Sequence, residues 1–138
     1  MAANTHFAVA VHALTVLAVH ERLVTSEEVA LSVQTNAVVA RRILGKLTQA
    51  DLVRSIPGKK GGFELARPAA EIDLAAVYRA VDAGATLKLP DKEPHQACYV
   101  SCGIKSVLQG LADRLDAVVD AELAGTTLAD VVTQIPKT

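Results

Sequence analysis

SEEVALSVQTNAVVARRILGKLTQADLVRSIPGKKGGFEL, residues 26–65, is the stretch whose reading decides the fold. Ser26 offers an N-cap, and Glu27 and Glu28 follow where acids complement a helix dipole, which predicts a short helix over 27–33. Gln34 and Thr35 break the pattern, and Thr35 or Asn36 then caps a further helix running to about Ala50. In that helix Ala40, Ile43, Leu44 and Leu47 recur at spacings of three and four and form one apolar face. The opposite side collects Arg41, Arg42, Gly45, Lys46 and Gln49. A short helix, a tight turn and a second helix with an exposed basic face is the helix-turn-helix plan. Val53 to Ile56 and Phe63 to Leu65 are strand-like runs flanking Pro57, Gly58, Gly61 and Gly62, a density of turn residues that predicts a β-hairpin. Lys59 and Lys60 sit at its tip. A basic hairpin directly after a helix-turn-helix is a wing.

Charge supports the same reading. The 138-residue chain has a net charge of −1, which by itself argues against nucleic acid. Yet Arg41, Arg42, Lys46, Arg54, Lys59, Lys60 and Arg67 face only Asp51 and Glu64 between residues 41 and 67, a surplus of five positive charges that leaves the rest of the chain at −6. A basic third on an acidic body is the electrostatic footprint of a DNA-binding face.

Upstream, Phe7 to Val19 reads as a central helix, apolar nearly all round. That stretch is shorter than the roughly 18 to 20 residues a bilayer span needs, and no basic start or cleavage pattern marks a signal peptide. We expect a cytoplasmic protein with no membrane partner. Downstream, Asp73 caps a helix through Val77, Tyr78 and Val81 that ends near Gly84. From Ala85 to Ser101 the pattern dissolves around Pro90 and Pro94, which predicts a loop. Ile104, Leu108, Leu111, Leu115, Val118, Val119 and Leu123 then define a long amphipathic helix that stops at Gly125. Thr127 with Asp130 has capping-box spacing and starts a last short helix. The expected fold is mainly α with a small β-hairpin. A winged helix-turn-helix domain over 1–84 leads through a loop and possible sensor segment over 85–102 to a dimerisation helix and C-terminal helix over 103–138. The long helix either folds back as ordinary core or pairs with its copy. Because the upstream domain already looks complete, we expect a homodimer, whose two-fold axis sets two recognition helices about one turn of DNA apart.

Four segments, NTHFAVAVHALTVLA (4–18), TNAVVARRIL (35–44), LVRSIPGKKGGFEL (52–65) and EIDLAAVYRAVD (71–82), fall in the order seen in the Rrf2-type transcription regulators. The chain resembles that family, which includes IscR, NsrR and CymR, and within it the YwnA-like branch, where a segment similar to Cys98-Tyr-Val-Ser opens the long helix. The resemblance covers about Thr5 to Val132. It implies a winged helix-turn-helix with a dimerisation helix, and binding of double-stranded operator DNA, commonly as a repressor. Carried over, it implies recognition-helix readers at Asn36, Val38, Val39, Arg41, Arg42 and Lys46, and a wing over Gly58, Lys59, Lys60, Gly61 and Gly62, with Arg54 in the same basic region. The wing departs from the family's Arg-Gly-x-Gly-Gly-Gly pattern, with Pro57 where Arg is common and Lys60 where Gly is expected. Two lysines still suit a tip that contacts phosphates.

Cys98 and Cys102 are the only cysteines and precede the long helix. Cluster-binding relatives hold an iron–sulfur centre here with three cysteines, so with two we expect no cofactor. Some relatives complete a cluster with a carboxylate and a histidine from the first helix; His12 fits the histidine, but Ala8 cannot be the carboxylate. A buried, hydrogen-bonded role is the plainer reading of His12. The positive end of a helix favours thiolate, so Cys98 and Cys102 are either a redox switch or inert thiols. A small-molecule effector in an apolar pocket between the winged domain and the long helix is a third way to receive a signal. Catalysis is not expected: His95 and Cys98 share one loop with no orienting third group, and no phosphate loop, HExxH or paired CxxC occurs. The competing classes are an iron–sulfur-dependent regulator and a winged-helix module used only for protein contacts. The latter need not keep a basic recognition face.

Overall fold

The computed structural model describes residues 2–81 and 84–137. Its elements run α1 (Ala2–Val19), α2 (Ser26–Val33), α3 (Ala37–Gln49), β1 (Val53–Ile56), β2 (Gly62–Leu65), a single 3-10 turn (Ala69–Glu71), α4 (Leu74–Ala80), α5 (Tyr99–Ala124) and α6 (Leu128–Gln134). The architecture is mainly helical with one antiparallel hairpin, as the sequence predicts. No described helix is long and apolar enough to cross a membrane.

The core is built from small aliphatic side chains because few aromatics are available. Leu14 of α1, Ile43, Leu44 and Leu47 of α3, Leu52, Ile72, Val77 and Val81 are all fully buried. Helix α1 is central, as expected, and Thr15 is buried in it with its hydroxyl donating to the Val11 carbonyl at 2.7 Å. At the edge of this core Phe7 meets Tyr78 of α4 edge-on at 5.2 Å, a geometry aromatic pairs favour. Leu128 of α6 is fully buried and Val131 packs beside it, so α6 shares the core of α1. An isolated bridge, Asp73 to Thr127, carries the Leu74 N–H to Thr126 oxygen (2.9 Å) and the Leu128 N–H to Ile72 oxygen (2.8 Å), and pins the end of α5 beside the start of α4.

Several boundaries differ from expectation. Helix α1 begins at Ala2 rather than Phe7. Thr25, not Ser26, caps α2: its hydroxyl accepts from Glu28 N at 3.1 Å while the Glu28 carboxylate accepts from Thr25 N at 2.8 Å. Ser26 is instead a buried first residue of the helix. Strand β2 starts at Gly62, one residue early, because Gly62 pairs with Ile56. Helix α4 ends at Ala80; its expected continuation toward Gly84 falls on 82–83, outside the described residues. Helix α5 begins at Tyr99, so the loop expected to reach Ser101 is shorter, because the Cys98 thiol caps the helix at Ser101 N.

The turn between α2 and α3 depends on Gln34, held in the left-handed region at φ 64°. Asp51, at φ 60°, plays the same part after α3. In both places a six-residue closure, Thr35 N–H to Ala30 oxygen and Leu52 N–H to Leu47 oxygen, satisfies the helix end.

Candidate nucleic-acid interface

Asn36 caps α3, its side-chain oxygen accepting from Val39 N at 2.9 Å, which resolves the choice left open between Thr35 and Asn36. With Ala40, Ile43, Leu44 and Leu47 buried, helical geometry turns Val38, Arg42, Gly45 and Gln49 into one outward stripe. Val38 is 57% exposed at its start. Arg41 and Arg42 are exposed, Arg42 in the middle of the stripe and Arg41 on the flank toward α2. Val39 and Lys46 lie half-buried on the far flank. Of the six expected readers, Val38, Arg41 and Arg42 are the most prominent, while the Asn36 side chain spends its oxygen on the cap.

The hairpin runs in the register Val53–Leu65, Arg54–Glu64, Ser55–Phe63 and Ile56–Gly62. Arg54 therefore stands opposite Glu64, their charged ends 4.0 Å apart, so part of its charge is answered within the wing. The tip closes with Gly58 at φ 107° accepting from Gly61 N at 3.0 Å, and it leaves Lys59 and Lys60 exposed. A Cβ on Gly61 would run into the Ile56 carbonyl. Phe63 and Val24 exchange both backbone hydrogen bonds, at 2.8 and 3.0 Å, so the linker between α1 and α2 adds a further rung on the other edge of β2. This brings Gly62 against Val24, whose oxygen would lie 2.8 Å from a Cβ there. Sequence reasoning missed the rung. Leu23-Val24 is too short an apolar run to show the alternation that marks a strand.

Three acid–base pairs surround the face. The Arg22 guanidinium donates to both Glu28 oxygens at 3.0 and 3.2 Å. That pairing, reinforced by the Thr25 backbone, lowers the Glu28 carboxyl to about 2. Arg41 Nη1 stands 3.6 Å from Glu27 Oε1. The third pair is Arg54 with Glu64.

At the start of α5, Cys98 Sγ accepts from Ser101 N at 3.5 Å, and Cys102 Sγ lies 3.7 Å from the His95 carbonyl oxygen. Cys98 is half-buried and Cys102 exposed, both as free thiols. Leu89, Pro90, Cys102, Ile104 and Leu108 line a cavity of about 270 Å³ between the connecting loop and α5. A second cavity, lined by Tyr78 and Arg79 of α4 and by Ala117 and Val119 of α5, lies between the winged domain and the long helix, where a pocket was expected. His12 is not buried as expected: it is exposed on α1, with Nε2 3.0 Å from Ser32 Oγ. Among the described residues no three His, Cys, Asp or Glu side chains converge. The donors gathered at this end of α5 are two thiols one turn apart.

The profile of the Rrf2 family, described as iron-dependent transcriptional regulators, matches residues 3–134. A Bacillus subtilis (strain 168) protein named as an HTH-type transcriptional regulator, YwnA, is 34% identical over 132 residues, 96% of this chain and 98% of its own. A crystal structure described as that of a DNA binding protein superposes with a TM-score of 0.74 at 34% identity, covering 91% of this chain and 97% of that one. Staphylococcus aureus CymR shares the fold, with a TM-score of 0.70 at 21% identity, over 96% of this chain and 99% of that one.

Proposed function

Because the chain belongs to the Rrf2 family and is a DNA-binding transcription regulator, we propose that it grips double-stranded operator DNA as a homodimer and acts as a repressor. The observation that carries this is the outward stripe of α3, with Arg42 at its centre and no acid–base partner among the described residues. Arg42 reads a guanine edge through a bidentate fork in the major groove. Lys46, Lys59 and Lys60 meet phosphates, which fixes the register and supplies salt-dependent affinity. Dimerisation is supported by the outer face of α5, where Val100, Ile104, Val107, Leu111 and Val118 stand exposed at helical spacing while Ala112 alone is fully buried. A second copy of that face would take them from water.

The signal enters at the start of α5. Cys98 caps the helix and Cys102 follows one turn later, so both sulfurs belong to the first turn. Peroxide oxidises one thiol to a sulfenic acid, releasing water; the second thiol condenses with it to a disulfide, releasing another. The bond removes the Cys98 cap and distorts the turn. A small apolar effector in the adjoining cavity would act on the same turn.

Quantitative gel shift with an operator selected by the purified protein tests the reading. Arg42→Ala should cost about 1–3 kcal/mol of discrimination at one base pair. Lys59→Ala with Lys60→Ala should weaken all sequences alike and flatten the salt slope by roughly one per lysine. Unchanged affinity and discrimination in Arg42→Ala would remove α3 from the interface.

A further inference from the structure

The basic face of α3 has an acid beside it that the DNA-binding reading does not use. Glu27, in the first turn of α2, is exposed on the side where Arg41 flanks the reading stripe. Its carboxylate has two neighbours: Oε2 accepts a hydrogen bond from Ser26 Oγ at 3.2 Å, and Oε1 forms an exposed ion pair with Arg41 Nη1 at 3.6 Å. Ser26 is 6% exposed, so the serine anchoring this acid is fixed in the core. The neighbouring Glu28 is different, being engaged by Arg22 and the Thr25 cap. A carboxylate at the rim of a phosphate-binding surface repels DNA. Its presence there calls for a compensating role, and the geometry supplies one. Arginine's long side chain loses rotamer freedom on meeting a base, and an acid already paired with the guanidinium removes part of that cost.

We propose that Glu27 is a positioning residue for sequence recognition: anchored by Ser26, it sets the Arg41 guanidinium so that Arg41 reads a base beside the one read by Arg42. This rests on α3 being the recognition helix. It makes Arg41 a reader with a fixed aim rather than a phosphate contact.

The test compares wild type with Glu27→Gln, Arg41→Ala and the double variant, against the selected operator and its single-base-pair variants. Glu27→Gln should lower discrimination at one base pair by about two- to fivefold, the range an exposed ion pair supports, and leave the other positions alone. In the Arg41→Ala background the Glu27→Gln effect should vanish. An equal gain in affinity for every duplex, with discrimination intact, would show simple repulsion and overturn the proposal. Independent effects in the double variant would overturn it as well. If Arg41→Ala loses specificity and Glu27→Gln keeps it, Glu27 alone is misassigned. If Arg41→Ala binds as wild type, Arg41 leaves the interface and the proposal goes with it, while Arg42→Ala still judges the helix. Glu27→Gln should still unfold cooperatively, within a few degrees of wild type, since it loses only the modest contribution of an exposed first-turn acid.

Discussion

Thr25 and Glu28 hold the N-terminus of α2 by each accepting the other's backbone N–H on a side-chain oxygen, and Arg22 closes the group from outside. Loss of the cap in Thr25→Ala should cost about 1 kcal/mol, readable in urea unfolding. The pH dependence has a definite sign. Glu28 is lowered from 4.5 to about 2 in the folded chain, chiefly by its Arg22 hydrogen bond. Its contribution is therefore complete above pH 4.5 and drains away as pH falls toward 2. The stability gap between wild type and Glu28→Gln should be wider at pH 7 than at pH 3, and a gap that widens on acidification would contradict the assignment. The Thr-x-x-Glu spacing was legible, yet Ser26 is an equally good cap by residue type and drew the reading one position late. His12 was misplaced for a different reason. Phe7 to Val19 is apolar nearly all round, so periodicity could not show which narrow strip of α1 faces solvent.

Among the elements, the wing depends most on one residue. Gly62→Ala would press a Cβ against the Val24 oxygen, breaking the rung that ties hairpin to linker. We expect weaker DNA binding with little loss of helix, since α1 to α3 pack without the wing tip. Gel shift and circular dichroism together check both halves. Helix α5 makes the complementary prediction. Val107→Glu with Leu111→Glu places charges on its outer face, which is not part of the protomer core. The chain should stay folded but sediment as a monomer, because pairing would bury two unpaired carboxylates. A dimer that survives both substitutions would move the pairing surface elsewhere. The apolar stripe and the stop at Gly125 were plain in sequence. Where α5 begins was not, because a cysteine is a rare cap and the prolines before it blurred the boundary.

At the scale of the whole molecule, the hairpin, the helix-turn-helix and the long helix were legible because each has its own periodicity or turn chemistry. The docking of α6 onto α1 was not, since a seven-residue helix carries too short a pattern to name its neighbour. A redox response would be a whole-molecule property: diamide should weaken operator binding by wild type, reductant should restore it, and Cys98→Ser should bind equally in both conditions. Equal wild-type binding throughout would make the thiols bystanders. The fastening of α5 sets how such a change would travel. Its C-terminal end is tied down by the Asp73–Thr127 bridge, the Arg79–Asp120 pair at 2.9 Å and the Thr86 N–H on Asp116. Its other end leans on the connecting loop, about 39 Å away at 1.5 Å per residue. The helix is thus an arm anchored on the winged domain near its C-terminal end, with the cysteines at its far end. A small tilt at the anchor sweeps the far end widely. Read the other way, a large displacement at the far end reaches the recognition helix geared down to a fine adjustment.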